Sequence, residues 1–140
     1  ELEPPLMPDR KKWKLTASHG SEKLGGCVDG NGKSRYDTGT SQVPGMWVQV
    51  ELPTVSKVNR IQLDSKNSTR DYPRGYQVES SVDGKKWSEP LAIGVGKHPV
   101  TDISFPTTEA KYLKITQTGR VSGLYWSIHE MQIFGKPVPR

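Results

Sequence analysis

At 140 residues the chain has the length of a single domain, and it contains no apolar run near the 18 or so residues needed to span a membrane. Apolar residues make up only 32%, against four Trp and five Tyr, which favours a thin two-layer core with aromatic anchors over a thick helical one. The net charge of +5 is spread along the chain, so it reads as a solvated surface weakly drawn to anionic partners, without the basic stripe of a nucleic-acid binder.

Residues 1–12 read as an N-terminal linker, being rich in Pro near Glu3-Pro4-Pro5 and in charge at Arg10-Lys11-Lys12. Strand-like alternation begins at Trp13, Leu15 and Ala17. It returns at Val48, Val50 and Leu52, at Ile61 and Leu63, and at Tyr76, Val78, Ser80 and Val82. Thr101, Ile103 and Phe105 continue it, followed by Leu113 and Ile115, then Met131 and Ile133. Turn signals fall between these runs at Asp29-Gly30, Pro44-Gly45, Asp83-Gly84, Gly94 to Gly96, Pro106 and Gly119. Asp83-Gly84 predicts a tight hairpin, because Asp-Gly accepts positive φ readily. No segment keeps helical spacing for three turns, and the four Trp, each in or beside a strand-like run, are expected in the core. Residues 137–140 read as a second linker, so both ends suggest a piece of a longer polypeptide joined to neighbouring domains. Many short strands without helices predict an all-β antiparallel sandwich or jelly roll. Cys27 is the only cysteine, which excludes an internal disulfide and reads as a small buried hydrophobe.

Five pieces, in order, resemble one known family. They are the run from Asp29 to Thr38, the run from Pro44 to Leu52, Val78 through Trp87, Ala110 to Ile115, and Trp126 to Met131. They resemble discoidin domains, also called coagulation factor V/VIII type C domains, which include the family 32 carbohydrate-binding modules. The wording of Asp71-Tyr72-Pro73-Arg74-Gly75-Tyr76 and of Tyr125 to Glu130 looks most like modules of large bacterial secreted or periplasmic proteins. The resemblance implies an eight-stranded antiparallel jelly-roll sandwich over residues 13–136, with a ligand surface built from loops at one end.

Asp29-Gly30-Asn31-Gly32 is rich in oxygen donors, and its glycines would let the chain curl around a hard cation such as Ca2+; an ordinary turn is the alternative. It is not an EF-hand, since Ser34 and Thr40 stand where Gly and a bidentate Glu are required. The family resemblance implies the remaining ligands. They are the carbonyl of Gly26, the side chain of Asp29, the carbonyl of Asn31, both oxygens of Ser34, the carbonyl of His129 and the carboxylate of Glu130. Such a Ca2+ ion would be structural, tying an N-terminal loop to the last strand.

For the ligand, the resemblance points to Asp37, at a position where sugar-binding relatives often carry His. A carboxylate there suits sugar hydroxyls but departs from the usual galactose pattern. The loop from Ser65 to Arg74 combines charged, amide and aromatic groups. Ser65, Arg70, Asp71, Tyr72 and Arg74 are therefore candidate contacts, with Tyr125 a second aromatic platform for the apolar face of a sugar ring. A solvated loop in which Asp71 and Arg74 pair is the plainer reading.

Nothing marks catalysis. There is no G-x-S-x-G elbow, His19, His98 and His129 lack metal-ligand spacing, and the glycine pairs precede no helix. The expectation is a non-catalytic, extracellular or periplasmic module that holds a larger protein onto a glycan or polysaccharide, with acidic or sulfated glycans among the candidates. The alternatives are a protein-adhesion domain and a spacer without a sugar ligand. Membrane binding ranks low, for want of apolar loop tips and a disulfide staple.

Overall fold

The computed structural model describes residues 4–139, and residues 1–3 and 140 of the two expected linkers lie outside that range. Eight strands follow in chain order: β1 Lys14–Ala17, β2 Tyr36–Asp37, β3 Met46–Asp64, β4 Tyr76–Ser81, β5 Ala92–Gly94, β6 Val100–Gln117, β7 Ser127–Ile128 and β8 Glu130–Pro137. Two short 3-10 segments, Arg10–Lys12 and Ser21–Cys27, are the helical elements among the described residues.

The described strands pair antiparallel. β3 and β6 are long enough to serve both layers of a sandwich. Their outer halves, 46–51 and 112–117, pair with each other and carry β1, β4 and β5. Their inner halves, from Ser56 and up to Ala110, pair again and carry β8. Pro106, which reads as a turn signal in the sequence, instead sits within a strand where the pairing register slips, as Pro53 does in the other. Proline is tolerated there because a bulge needs no ladder N–H. The bulge at Asn59 also shifts the inward face, from Val48, Val50, Leu52 and Val58 before it to Ile61 and Leu63 after it.

The two halves close on one core. Val48, Val50, Val78, Leu113 and Ile115 face Ile61, Leu63, Ile103, Met131 and Ile133 within a single buried cluster. Each such side chain stabilises the fold by about 1.5–3 kcal/mol relative to exposure. Cys27 lies in this cluster, and burial pushes its thiol up to about 12.

Three expectations change. The N-terminal segment is part of the fold from Leu6 onward. Leu6 bridges to Phe134, the Met7 N–H donates to Ile133 O at 2.8 Å, and Met7 is buried. The free edge of β8 offers backbone groups that recruit this segment, and a Pro-rich composition does not reveal such pairing. At the other end Pro137, assigned to a tail, closes β8 opposite Ser56. The four Trp also divide. Trp13 and Trp126 are buried, whereas Trp47 and Trp87 lie half-buried against Lys114, whose ammonium is 5.6 and 4.6 Å from their rings. Asp83-Gly84 does turn the chain, but only Gly84 takes positive φ. The turn is an Asp-capped one, with Asp83 Oδ1 accepting the N–H groups of Lys85 and Lys86.

Candidate functional site

The two-stranded pair β2–β7 sets the site. Asp37 stands opposite Ser127, and Tyr36 packs edge-on to Trp126 with ring centroids 6.3 Å apart. The 3-10 segment Ser21–Cys27 lies tightly over β2. A Cβ on Gly20, whose φ is 64°, would meet Asp37 O at 2.2 Å, and one on Gly26 would meet Arg35 O at 2.8 Å. Only glycine permits both approaches.

Asp37 is buried, and its carboxylate is fully engaged. Oδ1 accepts from Lys23 Nζ at 2.7 Å, and Oδ2 faces Arg35 Nε at 3.2 Å. The hydrogen bond to Asp37 holds the Lys23 ammonium above its ordinary value of 10.5. Arg35 is the hub. Its Nη1 donates to Ser68 Oγ at 3.0 Å and lies 3.6 Å from Asp71 Oδ2, which also accepts from Ser127 Oγ at 2.6 Å. Ser68 Oγ is 2.7 Å from His129 Nε2, and His129 Nδ1 is 2.8 Å from Gly32 O. A carbonyl can only accept, so Nδ1 carries the proton and Nε2 accepts from Ser68.

Asp37 is therefore less a sugar acceptor than a buried anchor for two cations that remain about 40% exposed, Lys23 and Arg35. Of the other candidates, Asp71 joins this network and Arg70 projects exposed from the same loop. Tyr72 and Arg74 stack on each other, with the guanidinium carbon 3.8 Å from the ring centroid. Arg74 thus covers the Tyr72 ring and does not pair with Asp71. Tyr125 remains the exposed aromatic, at 39%. Ser65 is at the foot of the loop, not on the rim: it is buried, and its Oγ contacts His98 Nδ1 and Pro99 O at 3.3 Å. Its hydroxyl is turned to holding this turn.

The sequence reading missed Lys23, Arg35, Gln42, Ser68 and Ser127. Arg35 was flanked by recognised motif residues, and its place before inward-facing Tyr36 was the available signal. Gln42 had none. It is wholly buried, its Nε2 donates to the carbonyls of Tyr72 and Tyr125 at 2.9 and 3.1 Å, and its Oε1 accepts from Arg74 N at 3.0 Å. It clips the two ligand loops together.

The candidate metal loop lies behind this rim, and the His129 ring joins the two. Asp29 Oδ1 accepts the Asn31 N–H at 2.9 Å, and that bond, more than any other influence, holds the Asp29 carboxyl below its usual value. Asn31 O accepts from Ser34 N at 3.0 Å. Glu130 is about nine-tenths buried: Oε2 pairs with Arg10, and Oε1 is buried without a hydrogen-bond partner. An orphaned buried carboxylate oxygen near an oxygen-rich loop fits a hard cation. The described residues hold no cluster of three or more His, Cys, Asp or Glu, so such an ion would depend on carbonyl and hydroxyl oxygens as well as Asp29 and Glu130.

No helix among the described residues is long and apolar enough to cross a membrane. No curated protein sequence matches the chain. Several solved structures are similar in fold. The family 32 carbohydrate-binding module of NanJ from Clostridium perfringens, in complex with galactose, superposes with a TM-score of 0.80 at 20% identity, over 95% of this chain and 99% of that one. Chitosan-binding module 1 of a chitosanase/glucanase from Paenibacillus sp. IK-5 gives 0.73 at 25% identity, over 87% and 94%. The family 32 module of AlyQ, in complex with 4,5-unsaturated mannuronic acid, gives 0.70 at 22%, over 96% and 98%. The family model of the F5/8 type C domain matches residues 13–131, and the chain belongs to that family.

Proposed function

We propose that the chain is a non-catalytic carbohydrate-binding module that holds the end of a glycan at the rim formed by Lys23, Arg35, Arg70, Asp71 and Tyr125. The observation that carries this reading is the buried Asp37 carboxylate, which fixes two half-exposed cations beside an exposed tyrosine. With both acidic side chains already hydrogen-bonded or ion-paired, the rim offers mainly donors: an ammonium, the guanidinium groups of Arg35 and Arg70, and an aromatic face. Donors of this kind match carboxylate or sulfate oxygens better than neutral hydroxyls. The ligand class is therefore an acidic glycan, a uronate-containing or sulfated polysaccharide. The mannuronic acid bound by the AlyQ module supports that choice. Chitosan, bound by relatives of similar fold, carries amines that this rim would repel.

The site is shallow, so single-site affinity is expected between about millimolar and tens of micromolar. Linked to a larger extracellular or periplasmic protein, such a module raises the local concentration of substrate for its neighbours. Ca2+ held by Asp29, Glu130 and the carbonyls around them would stiffen the loop that carries Gly32 and, through His129, the rim. A second reading, docking to a protein or to a neighbouring domain, rests on Ile93 and Val95, two strongly exposed aliphatics at the β5 edge.

The test is a glycan array with uronate, sulfated, chitosan and neutral galactoside probes, run with the native chain and Arg35→Ala. Binding to acidic probes that weakens with salt and is lost in Arg35→Ala is expected. Binding confined to neutral galactosides would overturn the acidic assignment, and no binding to any probe by a folded chain would overturn the carbohydrate reading.

A further inference from the structure

Glu130, on the strand that a Ca2+ ion would tie to the loop from Asp29 to Ser34, already has a cationic partner, and that cation is a side chain. Pairing of the N-terminal segment with the edge of β8 brings Arg10 to the strand's beginning. There Nη1 donates to Met131 O at 3.0 Å and to Glu130 Oε2 at 2.5 Å. The other terminal nitrogen, Nη2, lies 3.9 Å from the place a Cβ on Gly30 would take. The Arg10 and Glu130 side chains are only 19% and 11% exposed, so solvent screens the pair weakly. The guanidinium thus pairs with Glu130 while lying beside the loop that the Ca2+ ion would tie to it.

We infer that Arg10 is a tethered cation that shares the Glu130 carboxylate with the metal position, neutralises that carboxylate without metal, and weakens Ca2+ binding. This rests on the calcium reading above. A carboxylate that binds Ca2+ through both oxygens must first release Oε2 from Arg10, while one that keeps Arg10 offers Oε1 alone. The ion also meets a nearby positive charge in a partly buried setting, where repulsion is stronger than in water. Neither cost applies once the guanidinium is removed.

The test is calorimetric titration of CaCl2 into the EDTA-stripped full chain, paired with melting curves in EDTA and in Ca2+. Native protein, Arg10→Gln, Arg10→Lys and Glu130→Gln are compared. Arg10→Gln is expected to bind Ca2+ about tenfold more tightly than the native chain. It is also expected to melt lower in EDTA and to gain more from added Ca2+. Arg10→Lys keeps the charge on a shorter, unforked side chain, so it should fold without metal and bind Ca2+ with intermediate affinity. If Arg10→Gln does not fold, that intermediate shift in Arg10→Lys decides the matter. Equal or weaker Ca2+ binding in the Arg10 variants, with binding by the native chain intact and lost in Glu130→Gln, overturns the role of Arg10 alone. Absence of Ca2+ binding in every protein overturns the calcium reading together with it.

Discussion

Gln42 engages both its amide nitrogen and its amide oxygen while wholly buried, and no local pattern in the sequence announces it. Replacing it with Leu keeps the volume but leaves the Tyr125 carbonyl and the Arg74 N–H without a partner, and the Tyr72 carbonyl with Arg74 Nη1 alone. Stability should fall by about 2–4 kcal/mol, read by urea denaturation, and glycan binding should weaken as the two loops part. An unchanged denaturation midpoint would show that the clip is dispensable. The contrast with Asp37 is instructive. The sequence reading cast it as an acceptor for sugar, and the structure shows its carboxylate accepting from Lys23 and facing Arg35. Those partners lie 14 and 2 residues away in sequence, and only their arrival in space fixes what the carboxylate can do.

At the level of elements, the strands were read largely from period-two alternation, and their cores fell where Val48, Ile61, Leu113 and Ile133 indicated. Alternation cannot reveal that β3 and β6 run unbroken through Pro53 and Pro106, because a bulge and a turn share the same residues. Nor does it separate a core Trp from one on the outer face. Lys114 lies between Trp47 and Trp87 on that face. Lys114→Met, which keeps the stem and drops the charge, should cost about 1 kcal/mol by thermal unfolding. Turns carry a pH signature too. Asp29 and Asp83 are held below the ordinary 3.8 chiefly by backbone N–H groups, and Asp102 chiefly by its hydrogen bond to Arg60. A carboxyl with a lowered folded-state value stabilises the protein fully above its unfolded value, and loses that contribution as pH falls through the folded one. The melting temperature should therefore drop on acidification below about pH 4. A flat profile from pH 5 to pH 2 would remove these three groups from the account.

For the molecule as a whole, the calcium reading predicts that saturating Ca2+ raises the melting temperature and EDTA reverses the gain. At a hundredfold excess over Kd the stabilisation amounts to about 2.7 kcal/mol. Identical melting curves in Ca2+ and EDTA would remove the ion from the fold. The sequence by itself determined the class of fold and the family, because alternation, turn residues and five ordered motif fragments are local properties carried by consecutive side chains. Tertiary structure alone decided that residues from Leu6 onward complete the sheet beside β8, that Arg35 links Asp37, Ser68 and Asp71, that Ser65 is buried at the foot of its loop, and that Arg10 pairs with Glu130. Each of these depends on groups far apart in the chain meeting in space, and where they meet out of solvent an unpaired charge or amide is costly and its partner is set by geometry.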